Sequence, residues 1–424
     1  MRPSRPAPIS LLLLLALGLA CGGAEPPLPR VGGSDPAECE GLSWWRRFAM
    51  DRVIDYRVFS GARAGFVVLV ARDGCVVYGR TSGVADLETG EPMQLDTRFQ
   101  LASMTKPITA AAAMLLFDAG RLDLDAPVSR YLPEFAALRV VTARTEAGGF
   151  ETAPLEVPLK VRHLLTFTSG IGGYAETDDP LDLAWRSPDI EQAGLGSLAD
   201  RVGLVPERPL YEPPGTRWRY GWSADVLARV VEVAAQTPLD VFLQERLFTP
   251  LGMSHTQYPD DVPGDAAIAR MVTHDARGRL VPEPRFDAWY GRGWTPGGGG
   301  LVSTAGDYLR FALMLLQGGE LEGRRVLSPA AVEAMTSLQV PDGVLTDMGL
   351  EGLGWGFGLS VVADATKTVM PAHDGDYWWS GRFGTQFWVS PAERTVVVVM
   401  QQTERSETSD LPITPSLVQA LAIP

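Results

Sequence analysis

The spacing of hydrophobic positions changes several times along the chain, and the changes mark out its elements. An apolar run, broken only by Ser10, covers residues 9–20, too short to cross a bilayer as a helix. Gly and Pro are then frequent over about residues 22–36, a composition that predicts a disordered tether. A helix is expected over about residues 43–56. Two β-rich runs follow, Phe66-Val-Val-Leu-Val70 and Cys75-Val-Val-Tyr78, and the Arg72-Asp-Gly74 turn between them marks a hairpin. Helical spacing resumes near Ser103 and continues through Ala110-Ala-Ala-Ala-Met-Leu-Leu to Gly120, a glycine placed to stop it. Pro107 falls early enough in this helix to be tolerated.

Between about residues 123 and 300, short helical patterns alternate with Pro/Gly-rich loops and strand signal is weak, which predicts a mostly helical lobe. Helices are expected at about 305–317 and 328–337. Three consecutive strands are expected at 355–362, 377–389 and 395–400, and a closing helix at about 417–422. The sheet therefore draws on both ends of the chain. The pattern predicts an α+β fold, an antiparallel sheet flanked by helices with a second lobe inserted between sheet segments.

Composition adds a location. The chain has 424 residues, 46% of them hydrophobic, with 51 Asp+Glu against 37 Lys+Arg and a net charge of −14. An acidic surface disfavours nucleic acid as a partner. Arg2 and Arg5 precede the apolar run, so residues 1–20 have the layout of a signal peptide. Leu17-Gly18-Leu19-Ala20-Cys21 resembles a bacterial lipoprotein processing site, which implies lipid on Cys21, residues 21–38 as tether, and a domain over 39–424 in the cell envelope or periplasm. Cys39 and Cys75 are then left either to pair in an oxidising compartment or to stay as separate thiols. His163, His255, His274 and His373 are far apart in sequence, and neither they nor any Cys-x-x-Cys spacing suggests a metal or other cofactor.

The candidate chemistry begins at Leu101-Ala-Ser-Met-Thr-Lys-Pro107. Ser103 and Lys106 are three positions apart at a helix start, so they share a face about 5–6 Å apart. A serine hydroxyl becomes a nucleophile beside a base, and the positive end of a helix favours the developing serine oxyanion. Ser-x-x-Lys alone is a weak pattern, met equally by a capping serine and an exposed lysine. Two further segments strengthen it. Pro213-Pro-Gly-Thr-Arg-Trp-Arg-Tyr-Gly-Trp-Ser-Ala-Asp presents Tyr220 ahead of a helix that Ser223 can cap, and Tyr377-Trp-Trp-Ser-Gly-Arg-Phe-Gly-Thr-Gln-Phe-Trp388 is strand-like with a central glycine.

In this order the segments resemble the nucleophile, tyrosine and strand motifs of class C β-lactamases and the related family VIII carboxylesterases. The resemblance extends over about residues 67–402, with supporting matches at His163-Leu-Leu-Thr-Phe-Thr-Ser-Gly170, Pro250-Leu-Gly-Met253 and Gly298-Gly-Gly-Leu-Val-Ser-Thr304. It implies a β-lactamase-like fold and an acyl-serine mechanism with Ser103, Lys106 and Tyr220 as the catalytic group. It also implies Trp222, Trp379, Ser380, Gly381 and Arg382 at the substrate, with backbone N–H groups of Ser103 and near Arg382 facing the oxyanion. The chain departs from the lactamase pattern in two places. Trp222 stands where the family has an asparagine, and Trp379 where the lactamases have the lysine of Lys-Thr-Gly. Lys367-Thr368, followed by valine, belongs to a loop and is a decoy.

An apolar, tryptophan-lined site suits a small neutral ester, so a carboxylesterase is expected. The alternatives are a β-lactamase or D-amino-acid peptidase acting on an amide, and a catalytically silent surface lipoprotein that binds peptidoglycan or a protein. An α/β-hydrolase needs a Gly-x-Ser-x-Gly elbow, and the chain has no such pentapeptide.

Overall fold

The computed structural model describes residues 41–145, 149–173, 179–185, 196–264, 266–283, 293–340, 344, 351–404 and 413–423. The expected signal peptide and tether, Cys21 and Cys39 lie outside them. The first described element is helix α1 (Trp44–Phe59). It leads into the expected hairpin, β1 (Gly65–Arg72) and β2 (Cys75–Gly83), turned by Asp73 and Gly74 at φ of 52° and 82°. Both turn residues are left-handed, the geometry whose twist matches the flanking strands. Cys75 is disulfide-bonded.

The C-terminal part supplies five further strands, β3 (Leu353–Trp355), β4 (Ser360–Val362), β5 (Tyr377–Ser380), β6 (Gln386–Ser390) and β7 (Thr395–Met400). The sheet order is β3-β4-β5-β6-β7-β1-β2, antiparallel throughout. The sheet is thus assembled from both chain ends, as expected, but two of the expected strands are each a pair. The 355–362 run folds over Gly358 (φ 83°), and the 377–389 run folds at Gly381–Thr385 through Gly384 (φ 88°). Continuous apolar spacing hides such turns, because both arms are apolar and only the glycines betray them.

Alternation along β1 divides the core between the two faces of the sheet. Phe66, Val68 and Val70 pack with Met50 and Ile54 of α1, while Val67, Leu69 and Ala71 belong to the larger core on the other face. That larger core holds helix α2 (Thr105–Asp118), in which every residue from Thr105 to Leu116 is buried. A helix apolar on all sides belongs in the middle of a protein. Its alanines permit close approach: a Cβ on Gly358 would lie 2.4 Å from Ala110 Cβ. α3 (Ser223–Ala235) and α5 (Pro329–Thr336) pack against α2, α4 (Ala305–Leu316) covers the sheet at β7, β1 and β6, and α6 (Ile413–Ala422) returns to pack beside α1.

The inserted region carries short helices at Val161–Leu165, Pro180–Trp185, Leu198–Val202 and Leu239–Leu243. It also holds two ribbons that weak strand signal concealed, Arg139–Arg144 with Phe150–Pro154 and Val272–His274 with Leu280–Pro282. Both are short and largely unburied, so their side chains show little apolar alternation.

One buried-side histidine ties stability to pH. His163 Nδ1 accepts from the Lys160 N–H at 3.2 Å. Burial, then Lys160 and Arg162, lower its pKa from 6.5 to about 4. The depressed value means the unfolded chain binds a proton that the folded chain refuses. Stability contributed by neutral His163 is therefore complete above pH 6.5 and lost as pH falls toward 4. Thermal unfolding between pH 7 and 4 should show this fall in melting temperature, with a shallower slope in His163→Gln.

Candidate active site

Several contacts fix the segment that carries Ser103. Phe99 and Gln100 pair with Ser303 and Val302, and the Leu101 N–H donates to Leu301 O at 2.8 Å. The Thr385 hydroxyl at the β5–β6 turn donates to Leu101 O (3.0 Å), and Tyr308 of α4 donates to Met104 O (2.9 Å). Between these anchors the chain makes a short 3-10 turn, Ala102–Met104, directly before α2. Ala102 is held at φ 46°, a left-handed conformation costly for a residue with a Cβ. Strain of this kind persists where neighbours over-determine the backbone, and here it turns the half-buried Ser103 out at the head of a buried helix.

Lys106 is 2% exposed. Its Nζ donates to Ser103 Oγ at 3.0 Å and to Gly298 O at 2.6 Å, and lies 4.6 Å from the centroid of the Tyr220 ring. An ammonium out of water needs such partners, because an uncompensated buried charge costs several kcal/mol. Gly298 is in turn held through its N–H, which donates to Asp225 Oδ1 of α3 at 3.0 Å. Neighbouring Gly297 O accepts from Thr109 Oγ1 at 2.8 Å. A Cβ at Gly297 would lie 2.4 Å from Ala224 O, and one at Gly298 2.7 Å from Asp225 Oδ2. Only glycine lets this loop pass between α3 and α2 and place a carbonyl on Lys106. In the sequence the glycine tract is only a supporting match, and Asp225 is not singled out. The available signal was a run of four glycines ahead of a buried helix.

Tyr220 arrives on a strand-like segment bridged at Gly221 to Gly173. A Cβ on Gly221 would come within 2.3 Å of Gly172 O, so glycine is required between Tyr220 and Trp222. The Tyr220 ring is sandwiched among aromatics: it stacks on Phe167 (5.5 Å, 17°) and Trp218 (5.9 Å, 21°) and meets Trp379 of β5 at 5.6 Å. Trp355 of β3 closes the group, edge-on to Trp379 (4.7 Å, 89°) and to Phe167 (5.3 Å, 72°). Phe167 is 1% exposed and sits at φ 55°, rare for a bulky residue. Its carbonyl accepts the Arg219 N–H at 2.8 Å, so one residue holds Tyr220 by its ring and the preceding peptide by its backbone. Phe167, Trp218 and Trp355 were not singled out as site residues from the sequence, since aromatic residues there are indistinguishable from core.

The expected substrate-side residues divide. Trp379 stands against Tyr220, and Ser380, paired with Gln386, ends the strand beside it. Gly381 N–H donates to Thr385 O at 2.8 Å, and a Cβ there would lie 2.2 Å from both Leu101 O and Thr385 Oγ1. The glycine thus admits the nucleophile segment itself, rather than a ligand, against β5. The Arg382 side chain turns to Glu404 in a two-pronged ion pair, with Nε and Nη2 at 3.0 and 2.6 Å from Oε1, so any part it takes at the substrate falls to its backbone. Trp222 is 4% exposed and packed on Gly173, whose Cβ would meet Trp222 Cδ1 at 2.0 Å. It is core at the root of α3, not open surface. Ser223 does not cap α3 through its side chain, because its hydroxyl bonds Ser169 Oγ at 2.7 Å. Lys367, in the loop after β4, pairs with Asp364 at 2.8 Å, as a decoy should.

A profile of the family described as Beta-lactamase matches residues 50–422. Protein Rv1367c of Mycobacterium tuberculosis is 33% identical over 363 residues, 81% of this chain and 86% of the relative. Esterase EstB of Burkholderia gladioli is 31% identical over 391 residues, 84% of this chain and 90% of the relative. Among solved structures, EstCE1, described as a hydrolase with promiscuous acyltransferase activity, superposes with a TM-score of 0.76 at 28% identity, over 89% of this chain and 98% of that one.

Proposed function

Since the chain belongs to the β-lactamase family, whose serine hydrolases work through an acylated serine, we propose that it is an exported carboxylesterase that acylates Ser103 with small neutral esters. The observation that carries this reading is the aromatic wall of Tyr220 and Trp379, backed by the fully buried Trp355, next to the Ser103–Lys106 pair. Trp379 occupies the place from which a strand lysine would hold the carboxylate of a lactam or D-peptide. An indole there favours apolar acyl or alkoxy groups and leaves an anionic substrate without a partner.

In the proposed reaction Ser103 Oγ attacks the ester carbonyl carbon. As the O–C bond forms, the hydroxyl proton passes to the Lys106–Tyr220 pair, which accepts it in the form holding one proton fewer than ammonium and phenol together, and negative charge gathers on the carbonyl oxygen. Backbone N–H groups of Ser103 and Arg382 are the assigned donors for that charge. Collapse breaks the bond to the alkoxy group, which leaves with the proton. Water then repeats the sequence on the acyl-serine and regenerates Ser103. Gly298 O and Ser103 Oγ hold Lys106 at one end of the relay, and Phe167 and Trp218 hold Tyr220 at the other.

Turnover of p-nitrophenyl acetate and butyrate without turnover of a cephalosporin is the expected result, and the reverse preference overturns the ester reading. Phe167→Leu, which keeps an apolar side chain but removes the stacked ring, should lower kcat by about 10- to 100-fold with little change in KM, because a small displacement of a proton-transferring group is costly. Phe167→Tyr should restore most of it.

A further inference from the structure

Helix α1 turns two faces to its surroundings. Met50 and Ile54 are 0% exposed against the sheet, while Trp44, Trp45, Phe48, Tyr56 and Phe59 are exposed at 74, 49, 38, 51 and 79%. At 100° per residue these five aromatics fall within about 120° of arc, and Met50 and Ile54 lie across the axis from them. Arg52 occupies the middle of the stripe with its guanidinium 5.4 Å from the Phe48 ring, and Arg46 lies 5.2 Å from that of Trp45. Exposed aromatics scattered over a surface are ordinary, but five in one stripe are an interaction face.

We propose that α1 is a membrane-surface helix that seats the catalytic domain on anionic lipid headgroups. The first argument is residue type: Trp and Tyr set around Arg52 suit the polar–apolar boundary of a bilayer, where rings and the arginine stem bury and polar ends stay wet. The second is charge. Within a chain of net charge −14, α1 carries Arg46, Arg47, Arg52 and Arg57 against Asp51 and Asp55, a surplus of two positive charges. Both aspartates are engaged within the protein, Asp55 with Arg52 and Arg80 (2.9 and 2.8 Å) and Asp51 with Tyr78 (2.8 Å). The third is position, which rests on the reading of residues 1–20 as an export signal and Cys21 as the lipid site. A flexible tether over residues 21–38 has an average reach of roughly 23 Å, so a lipid on Cys21 holds α1 near the bilayer. A second copy of the chain fits less well. The five aromatics together expose on the order of 600 Å², under the ~800 Å² per partner of a stable interface.

The test uses the full chain with phosphatidylcholine vesicles, with and without 30% phosphatidylglycerol, carrying brominated acyl chains that quench tryptophan at the interface. Quenching should be strong for the wild type, greater with phosphatidylglycerol, and reduced at least threefold in Trp44→Phe/Trp45→Phe, which keeps the rings and removes the reporters. Trp44→Ser/Trp45→Ser/Phe59→Ser in a Cys21→Ser background should lower the bound fraction at least fivefold relative to Cys21→Ser alone, with hydrolysis of a soluble ester unchanged. Vesicle-bound protein in which Trp44→Phe/Trp45→Phe quenches like the wild type overturns the α1 proposal and leaves the lipid anchor standing. Loss of binding on Cys21→Ser alone, with the serine triple variant adding nothing, overturns it in the same way. No vesicle binding by the full chain overturns both. A dimer that the serine triple variant dissociates makes α1 a self-association face and overturns the lipid proposal.

Discussion

Ser103→Ala is expected to lower kcat for p-nitrophenyl butyrate by about 10⁴-fold or more and to abolish covalent labelling by a fluorophosphonate. The size follows from the chemistry assigned to Oγ. Without it no acyl-serine can form, and water must attack with only positioning and oxyanion donors to help. The fold should survive, because the anchors of the segment are Leu101, Met104 and Thr385, not the hydroxyl. Lys106 keeps its bond to Gly298 O when Oγ is removed. Steady-state kinetics and intact mass after exposure to the probe decide the matter. Labelling that persists in Ser103→Ala would place the nucleophile elsewhere, and a wild type that neither labels nor turns over would favour the silent binding protein.

Lys106→Met is expected to lower kcat by about 10³-fold, within the range of a lost proton-transfer group, while stability stays within about 1 kcal/mol of the wild type. The contrast matters more than either number. A rate loss of that size is about 4 kcal/mol of transition-state stabilisation. Methionine fills nearly the same buried volume without a charge to keep out of water. It loses the donor to Gly298 O, which costs about 1 kcal/mol, and it removes the desolvation burden of the ammonium, which acts in the opposite direction. Parallel kinetics and denaturant unfolding separate the two effects. A Lys106→Met enzyme that is active but much less stable would make Lys106 a structural pin for the glycine loop rather than part of the proton relay.

The sequence told more about the nucleophile than about its surroundings. Ser103 and Lys106 are three residues apart, so helical geometry alone puts them on one face, and the structure finds them 3.0 Å apart. The same locality made α1, the β1–β2 hairpin, α2 and α4 legible, since each is set by spacing and turn residues within a short window. Where the reading failed, the deciding contact was distant. Trp222 was placed at the substrate by its position in a motif, but the close packing of Gly173 draws it into the core. For Arg382 the expected part was a backbone N–H near it, which its side-chain pairing with Glu404, 22 residues on, leaves untouched.

By itself, then, the sequence determined the main helices, the β1–β2 hairpin, the division of the sheet between chain ends, the Ser103–Lys106 pair and the placing of Tyr220 and Trp379 on defined segments, because these follow from short-range periodicity and motif order. Only the tertiary structure decided that Gly298 and Asp225 hold Lys106, that Phe167, Trp218 and Trp355 wall in Tyr220, and that α1 shows its aromatics to solvent. Those outcomes depend on which surfaces meet across long separations, 192 residues from Lys106 to Gly298 and 375 from Arg46 of α1 to Leu421 of α6. An aromatic or a glycine carries the same local signal whether it lines a site, fills a core or faces water.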